Sequence, residues 1–277
     1  MDQSDLFVFR AGSAPLLINV PHCGTLLPPE IAARLTPEAL TLADTDWHVE
    51  KLYDFAAEYG VGLMHARYSR YVVDLNRDPD GKPLYPGADN TELCPSRAFS
   101  GNDLYLAGGI VPETEVAERR RRYWQPYHDR LAAELAAIKA RHGYALLLDG
   151  HSIPSQVPRF FPGRLPDLNL GSNDGRSAAP ALAAAAEAVL AQAQTLAQTQ
   201  VQTLAQGFSY VHNGRFKGGY ITRHYGRPAE GLHVLQLEKA EICYMDEARP
   251  NPYDAARAAP LIAVLRRLVQ AMLAWRP

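Results

Sequence analysis

The chain has 277 residues, 47% of them hydrophobic and 21% charged, which excludes a disordered polypeptide and suffices for one large α/β domain or two small ones. A formal charge of -2, with no basic cluster interleaved with aromatics, gives no electrostatic reason to expect nucleic acid. Three cysteines, Cys23, Cys94 and Cys243, without CxxC spacing, exclude a disulfide framework or a zinc knuckle and suit a reducing compartment. Met1 to Asp5 has no basic region leading into an apolar core, and the apolar runs fall short of a membrane span. Cytoplasmic location and no membrane partner are expected.

Leu16 to Val20 is short, apolar and β-branched, as a strand covered on both faces should be. Asp46 to Tyr59 alternates apolar and charged residues at helical spacing, and Gly60 to His65 is a weaker strand candidate. Tyr71 to Leu75 reads as another buried strand, followed by a long loop from Asp78 to Gly109. From Glu113 to Arg141, the residues Trp124, Tyr127, Leu131, Leu135 and Ile138 recur at steps of three and four, predicting a long amphipathic helix. Pro126 kinks that helix or marks its start, and the basic run Arg119 to Arg122 reads as a solvated or domain-facing surface. Tyr144 to Leu148 is a third buried strand, leading into a second long loop, Ser152 to Arg176. Loops of this length usually form lids or binding surfaces. Ala178 to Gln206 is Ala/Gln-rich, repeats the unit QTLAQ, and predicts a helical expansion without chemistry. His233 to Leu237 is the last strand, and Tyr253 to Leu273 the last helix, entered through Asn251-Pro252. Strands alternating with helices, and no low-complexity linker, predict one domain over residues 1–277. Its fold is expected to be a three-layer α/β/α class with a central, mostly parallel, mixed sheet.

Four apolar runs lead into groups with chemical capacity: Pro21-His22-Cys23-Gly24, Asp74 with Asn76 and Arg77, Asp149-Gly150-His151-Ser152, and Glu238. Ligands in open α/β sheets gather beyond the carboxyl ends of strands, so these groups define one candidate site. His22 and His151 are candidate metal ligands, against the plainer reading of loop histidines in ordinary hydrogen bonds. A catalytic zinc usually takes a carboxylate as well, and Asp44 and Asp46 both qualify, although an acid there could instead cap a helix. Glu238, desolvated after Val234 to Leu237, suits a general base; a salt bridge to Lys239 is the alternative. Asn76 and Arg77 are a donor pair suited to a carboxylate, with Arg70, Lys217 and Arg223 as further cations. Asn213 to Tyr220 combines glycines with donors, and its alternative is a tight turn with solvated charges.

These segments, with Ala43-Asp44-Thr45-Asp46, Arg70 to Arg77, Phe216 to Tyr220 and Leu235 to Glu238, resemble the N-formylglutamate amidohydrolase family from Pro15 to about Leu273. The resemblance implies a phosphorylase/hydrolase-like fold related to that of the zinc carboxypeptidases. It implies one Zn2+ per chain held by His22, His151 and an acid of the Asp44–Asp46 segment, Asp46 by preference. It gives Glu238 the role of general base, Arg70 a part in oxyanion stabilisation, and Asn76 and Arg77 the substrate's α-carboxylate. Arg223 or Lys217 would hold its side-chain carboxylate. The implied reaction is hydrolysis of N-formyl-L-glutamate to formate and L-glutamate, in histidine degradation, with a small acidic N-acyl amino acid as partner. The family usually has Ser where Cys23 stands, and Cys23 reads as a tolerated small residue. Rival readings are a broader N-acyl-amino-acid amidohydrolase, a carboxypeptidase-like hydrolase and a binding protein for acidic metabolites. A serine or cysteine hydrolase is disfavoured because no GxSxG elbow occurs. Oligomeric state is not legible in the sequence.

Overall fold

The computed structural model describes residues 5–84, 87, 89–106, 109–195 and 207–277. Seven strands form one mixed sheet: β1 (Phe7–Arg10), β2 (Leu16–Val20), β3 (Gly62–Ala66), β4 (Ala145–Ile153), β5 (Leu168–Gly171), β6 (Tyr210–His212) and β7 (Leu232–Ala240), in the order β1-β3-β2-β4-β7-β5-β6. The central run β3-β2-β4-β7 is parallel, while β1 and β5 join it antiparallel.

Side-chain alternation divides the core between the two faces. Leu16, Ile18, Val20, Leu146, Leu148, Leu235 and Leu237 share one cluster with α2 (Val49–Leu52), α5 (Pro180–Thr195) and α7 (Ala255–Ala274). Leu17, Leu147 and Val234 face the other way, onto α4 (Gln125–His142) and α6 (Tyr220–Tyr225). Each fully buried aliphatic side chain of this kind contributes ~1.5–3 kcal/mol. The result is the expected three-layer α/β/α arrangement. Among the described residues no helix is long and apolar enough to cross a membrane.

The strands expected at Leu16–Val20, Gly60–His65, Tyr144–Leu148 and His233–Leu237 are present, the last two longer than their apolar runs. Tyr71 to Leu75 is not a strand. It forms turns, with Val72 N–H donating to Ser69 O at 2.9 Å and Asp74 N–H to Leu93 O at 2.7 Å. Its apolar character reflects burial beneath the loop of residues 93–105, and not a sheet partner. The helix expected over Asp46 to Tyr59 is broken into α2 and a 3-10 segment, Asp54–Tyr59, with His48 left-handed (φ 62°) before α2.

The long helix after Glu113 is interrupted as well: α3 (Glu113–Arg119) widens through a π turn over Arg120–Trp124 into α4. Pro126, in the first turn of α4, has no N–H to continue the helical ladder, which explains a wider turn directly before it. Arg119 of the basic run turns inward and donates to Tyr71 O and Val72 O, pinning the 70–76 turns to the helix. Helix α7 starts at Ala255 with Asp254 as its cap, three residues beyond the Asn251-Pro252 start. The Ala/Gln-rich helix is observed as α5 to Thr195, and the remainder of that expectation, to residue 206, lies outside the described residues.

Candidate active site

The parallel strands deliver the polar groups to one edge of the sheet. His22 follows β2, and β4 and β7 run on past their apolar stretches, so that His151 and Glu238 are register partners on adjacent strands. Asp46 enters from the turn before α2: its N–H donates to His22 O at 3.1 Å, and its Oδ2 accepts from Ser152 N–H at 3.1 Å. Asp46 is therefore not a helix cap, and α2 has no side-chain cap. His22, Asp46 and His151 each offer a ligand atom, all within 4.8 Å of one another, and the two rings lie 4.9 Å apart.

Both imidazoles turn Nδ1 inward and rest Nε2 on a second carboxylate. His22 Nδ1 lies 3.7 Å from Asp46 Oδ2, with its Nε2 2.7 Å from Asp74 Oδ1. His151 Nδ1 lies 3.1 Å from Asp46 Oδ2, with its Nε2 3.0 Å from Asp149 Oδ2. A carboxylate behind a ligating imidazole fixes its tautomer and raises its basicity. Asp149 is itself held, accepting from Asn19 Nδ2 at 2.7 Å, while Tyr127 OH donates to Asn19 Oδ1 at 2.5 Å. Asn19 stands opposite Asp149 in the β2–β4 register.

Burial and charge set the protonation of the cluster. Burial raises the Asp46 carboxyl, but hydrogen bonds and charge from His151 and His22 outweigh it and hold the group well below the usual range. For His151 burial pulls down, yet Asp149 and Asp46 carry the imidazole to about 10, so a cation at Nδ1 must displace a proton. The donor set fits such a cation. His22 Nδ1 is buried without a hydrogen-bond partner, and so is Asp46 Oδ1, which has only the Arg70 guanidinium 3.5 Å away as an ion pair.

Glu238 is buried, and desolvation raises its carboxyl to about 7 against the pull of His151. The alternative salt bridge with Lys239 is not formed: Lys239 Nζ donates to Leu237 O at 3.2 Å and lies 3.4 Å from Tyr53 OH. Asp44 points away from the histidines, its Oδ2 accepting from Phe99 N–H at 2.8 Å, and burial lifts it to about 6. Cys23 lies 3.7 Å from His65 Nδ1, and burial pushes its thiol well above the ordinary value, which is unsuited to a nucleophile.

His22, Asp46, His151 and Glu238 line one cavity. Arg70, Asn76 and Arg77 line it too. Arg70 Nη2 donates to Asp74 Oδ2 at 2.8 Å, and Arg77 Nε to Thr91 Oγ1 at 2.9 Å. Asn76 Oδ1 accepts from Ile221 N–H at 2.8 Å, with Nδ2 3.0 Å from His151 Nε2. Gly219 makes this approach possible, because a Cβ there would lie 2.3 Å from Asn76 Nδ2. Both long loops contribute walls, Asp89, Asn90, Thr91 and Phe99 from the first and Phe160 from the second, and Ile153 adds the end of β4.

Lys217 and Arg223 are not in this cavity. Lys217 pairs with Asp174 at 3.0 Å, and Arg223 donates to Gly218 O and Leu84 O from a neighbouring depression. The cation that this loop does present to the cavity is Arg215, which charge and glycine content alone did not single out. The supports Asn19 and Tyr127 also went unassigned, and Asp74 and Asp149, named among the polar groups after the apolar runs, were given no role of their own.

Two inward-facing imidazoles and a carboxylate, with a desolvated glutamate beside them at the sheet edge, form a donor set of the kind that could hold a divalent cation. The sequence profile of the N-formylglutamate amidohydrolase family matches residues 14–245. An N-formylglutamate deformylase of Pseudomonas aeruginosa is 51% identical, covering 98% of this chain and 97% of that one. A Pseudomonas putida protein of the same name is 46% identical over 96% and 95%. The crystal structure of an N-formylglutamate amidohydrolase from Ralstonia eutropha superposes with TM-score 0.76 at 27% identity, over 96% of this chain and 97% of that one. The chain belongs to the N-formylglutamate amidohydrolase family.

Proposed function

We propose that the chain hydrolyses the formamide bond of N-formyl-L-glutamate to formate and L-glutamate, as a cytoplasmic step of histidine degradation. It acts as one catalytic domain over residues 1–277, with one Zn2+ held by His22, Asp46 and His151. The observation that carries this reading is the convergence of those three donors within 4.8 Å, with Glu238 in register beside His151. The names of the two Pseudomonas relatives support the substrate.

When bound, zinc supplies Lewis acidity toward the formyl oxygen and lowers the pKa of water. Glu238 takes a proton from the attacking water as its oxygen bonds to the formyl carbon. When the C–N bond breaks, Glu238 passes that proton to the departing nitrogen. Arg70 offers N–H groups to the oxyanion. Asp74 and Asp149 keep the imidazoles aligned. Arg77, with Asn76, holds the α-carboxylate; its planar fork suits two oxygens at once.

Steady-state turnover of N-formyl-L-glutamate, N-acetyl-L-glutamate and a short peptide, alongside zinc analysis of the same preparation, tests the reading. The expected result is preference for the formyl compound at about one zinc per chain. Preference for the acetyl compound or the peptide refutes the substrate, and full activity of a zinc-free preparation refutes the metal.

A further inference from the structure

A substrate with two carboxylates brings two anions into the cavity, and three arginines line it. Arg70 is committed to Asp74 at 2.8 Å and Asp46 at 3.5 Å, with its guanidinium carbon 4.7 Å from the Phe99 ring centre. Arg77 adjoins Asn76 and lies 3.9 Å from Asp74, on the side of the cavity that carries the imidazole donors. Arg215 comes from a different element, the loop after β6. Its Nε donates to Phe160 O at 2.9 Å, and its guanidinium carbon lies 5.5 Å from the Phe216 ring centre.

Those contacts place the guanidinium beside an aromatic wall. Phe160 meets Phe99 edge to face at 5.1 Å, and Phe161 meets Phe216 at 6.1 Å. An apolar wall suits the methylenes between two carboxylates, and its low dielectric strengthens an ion pair at its rim. Asp89, also on the cavity wall, accepts from Arg159 Nε and Nη2 at 2.8 and 3.0 Å.

We propose that Arg215 is the specificity-determining cation for the substrate's second carboxylate, gripping it while Arg77 holds the first. This rests on the function proposed above and names the residue behind its acidic side-chain preference.

The test compares kcat/KM of the zinc-loaded full chain and its Arg215→Met variant on N-formyl-L-glutamate and on N-formyl-L-glutamine, which has the same length without the charge. The variant should lose at least about 30-fold on the glutamate compound and stay within about threefold on the glutamine compound, with Arg215→Lys in between. An unchanged preference between the two substrates overturns the proposal, whether both rates fall together or neither does. If the wild-type chain does not hydrolyse N-formyl-L-glutamate at all, the proposed function fails, and calorimetric binding of glutarate decides the role of Arg215. Weaker glutarate binding by Arg215→Met then supports the role; equal affinity, or no binding by either protein, overturns it.

Discussion

Replacing Glu238 with Gln removes the proton acceptor and leaves nearly everything else. The side chain is buried on β7 opposite His151, and glutamine keeps its size and one carbonyl oxygen. Base catalysis of this kind contributes ~10²–10⁴-fold, or about 3–5 kcal/mol of barrier, so turnover should fall by at least about a hundredfold. The wild-type pH profile gives an independent magnitude. Without a cation the carboxyl at about 7 has an ionised fraction that rises about tenfold between pH 6 and pH 8, which is the upper limit for the rise in kcat/KM of the zinc-loaded enzyme over that window. A bound cation pulls the carboxyl downward, so the midpoint of the rise should lie at or below about 7. The assay measures turnover across pH and zinc content on one Glu238→Gln preparation. Near-normal turnover, or an unchanged pH limb in the variant, removes Glu238 as base. Loss of zinc together with activity makes it a ligand instead.

Three further outcomes are expected. Asp46→Ala should lose zinc and activity, whereas Asp44→Ala should keep its zinc, because the Asp44 carboxylate is turned onto Phe99 N–H; elemental analysis separates them, and zinc loss only in Asp44→Ala reverses the choice of acid. Arg77→Lys should lower kcat/KM for N-formyl-L-glutamate by about 2–5 kcal/mol in transition-state terms, and an unchanged value refutes the carboxylate contact. His128, stacked on Trp124 at 3.7 Å, is driven by burial down to about 3, so the fold favours its neutral form. That stabilisation is complete above the ordinary histidine pKa of about 6.5 and is lost as pH falls from there toward about 3. Between pH 7 and pH 5 the loss is about 2 kcal/mol, so denaturant titrations of His128→Gln should show a stability–pH curve flatter by that amount. A parallel curve refutes it.

The sequence was legible where burial in the sheet decided an element's composition. Leu16 to Val20 is covered on both sides and was read at its true bounds. Tyr71 to Leu75 is equally apolar but buried in turns, and apolar content reports burial without reporting conformation. His22, His151 and Glu238 were named as candidates because polar residues at the ends of buried strands need a partner or a purpose, and the structure brings them together with Asp46. Which acid faces the histidines was not legible, since Asp44 and Asp46 differ only in the course of one turn. Arg215 was not among the cations named from the sequence, because charge is written there but the direction in which a loop presents it is not; it lines the cavity, whereas Lys217 and Arg223 do not. Of the carboxylates behind the imidazoles, Asp149 lies two residues before His151 on β4 and Asp74 sits in a turn; only the Asn19–Asp149 pairing is a matter of strand register, which needs the assembled sheet.

The charges gathered at the sheet edge give the site its character. Asp46, Asp74 and Asp149 are all buried beside the two imidazoles, with Arg70 buried among them and Arg77 at the margin. Histidine ligates as neutral imidazole, and in that form the three carboxylates outnumber the two guanidiniums by one charge. Buried charge without a counterpart is costly, so the surplus must be met. Lifting His151 to about 10 meets it with a proton, placed between Asp46 and Asp149. A divalent cation meets it with one charge to spare, which offsets ionisation of Glu238 and favours the form able to accept a proton. On the function proposed above, the carboxylates that aim the imidazoles would also draw a cation to them and would leave Glu238 able to act as a base near neutral pH.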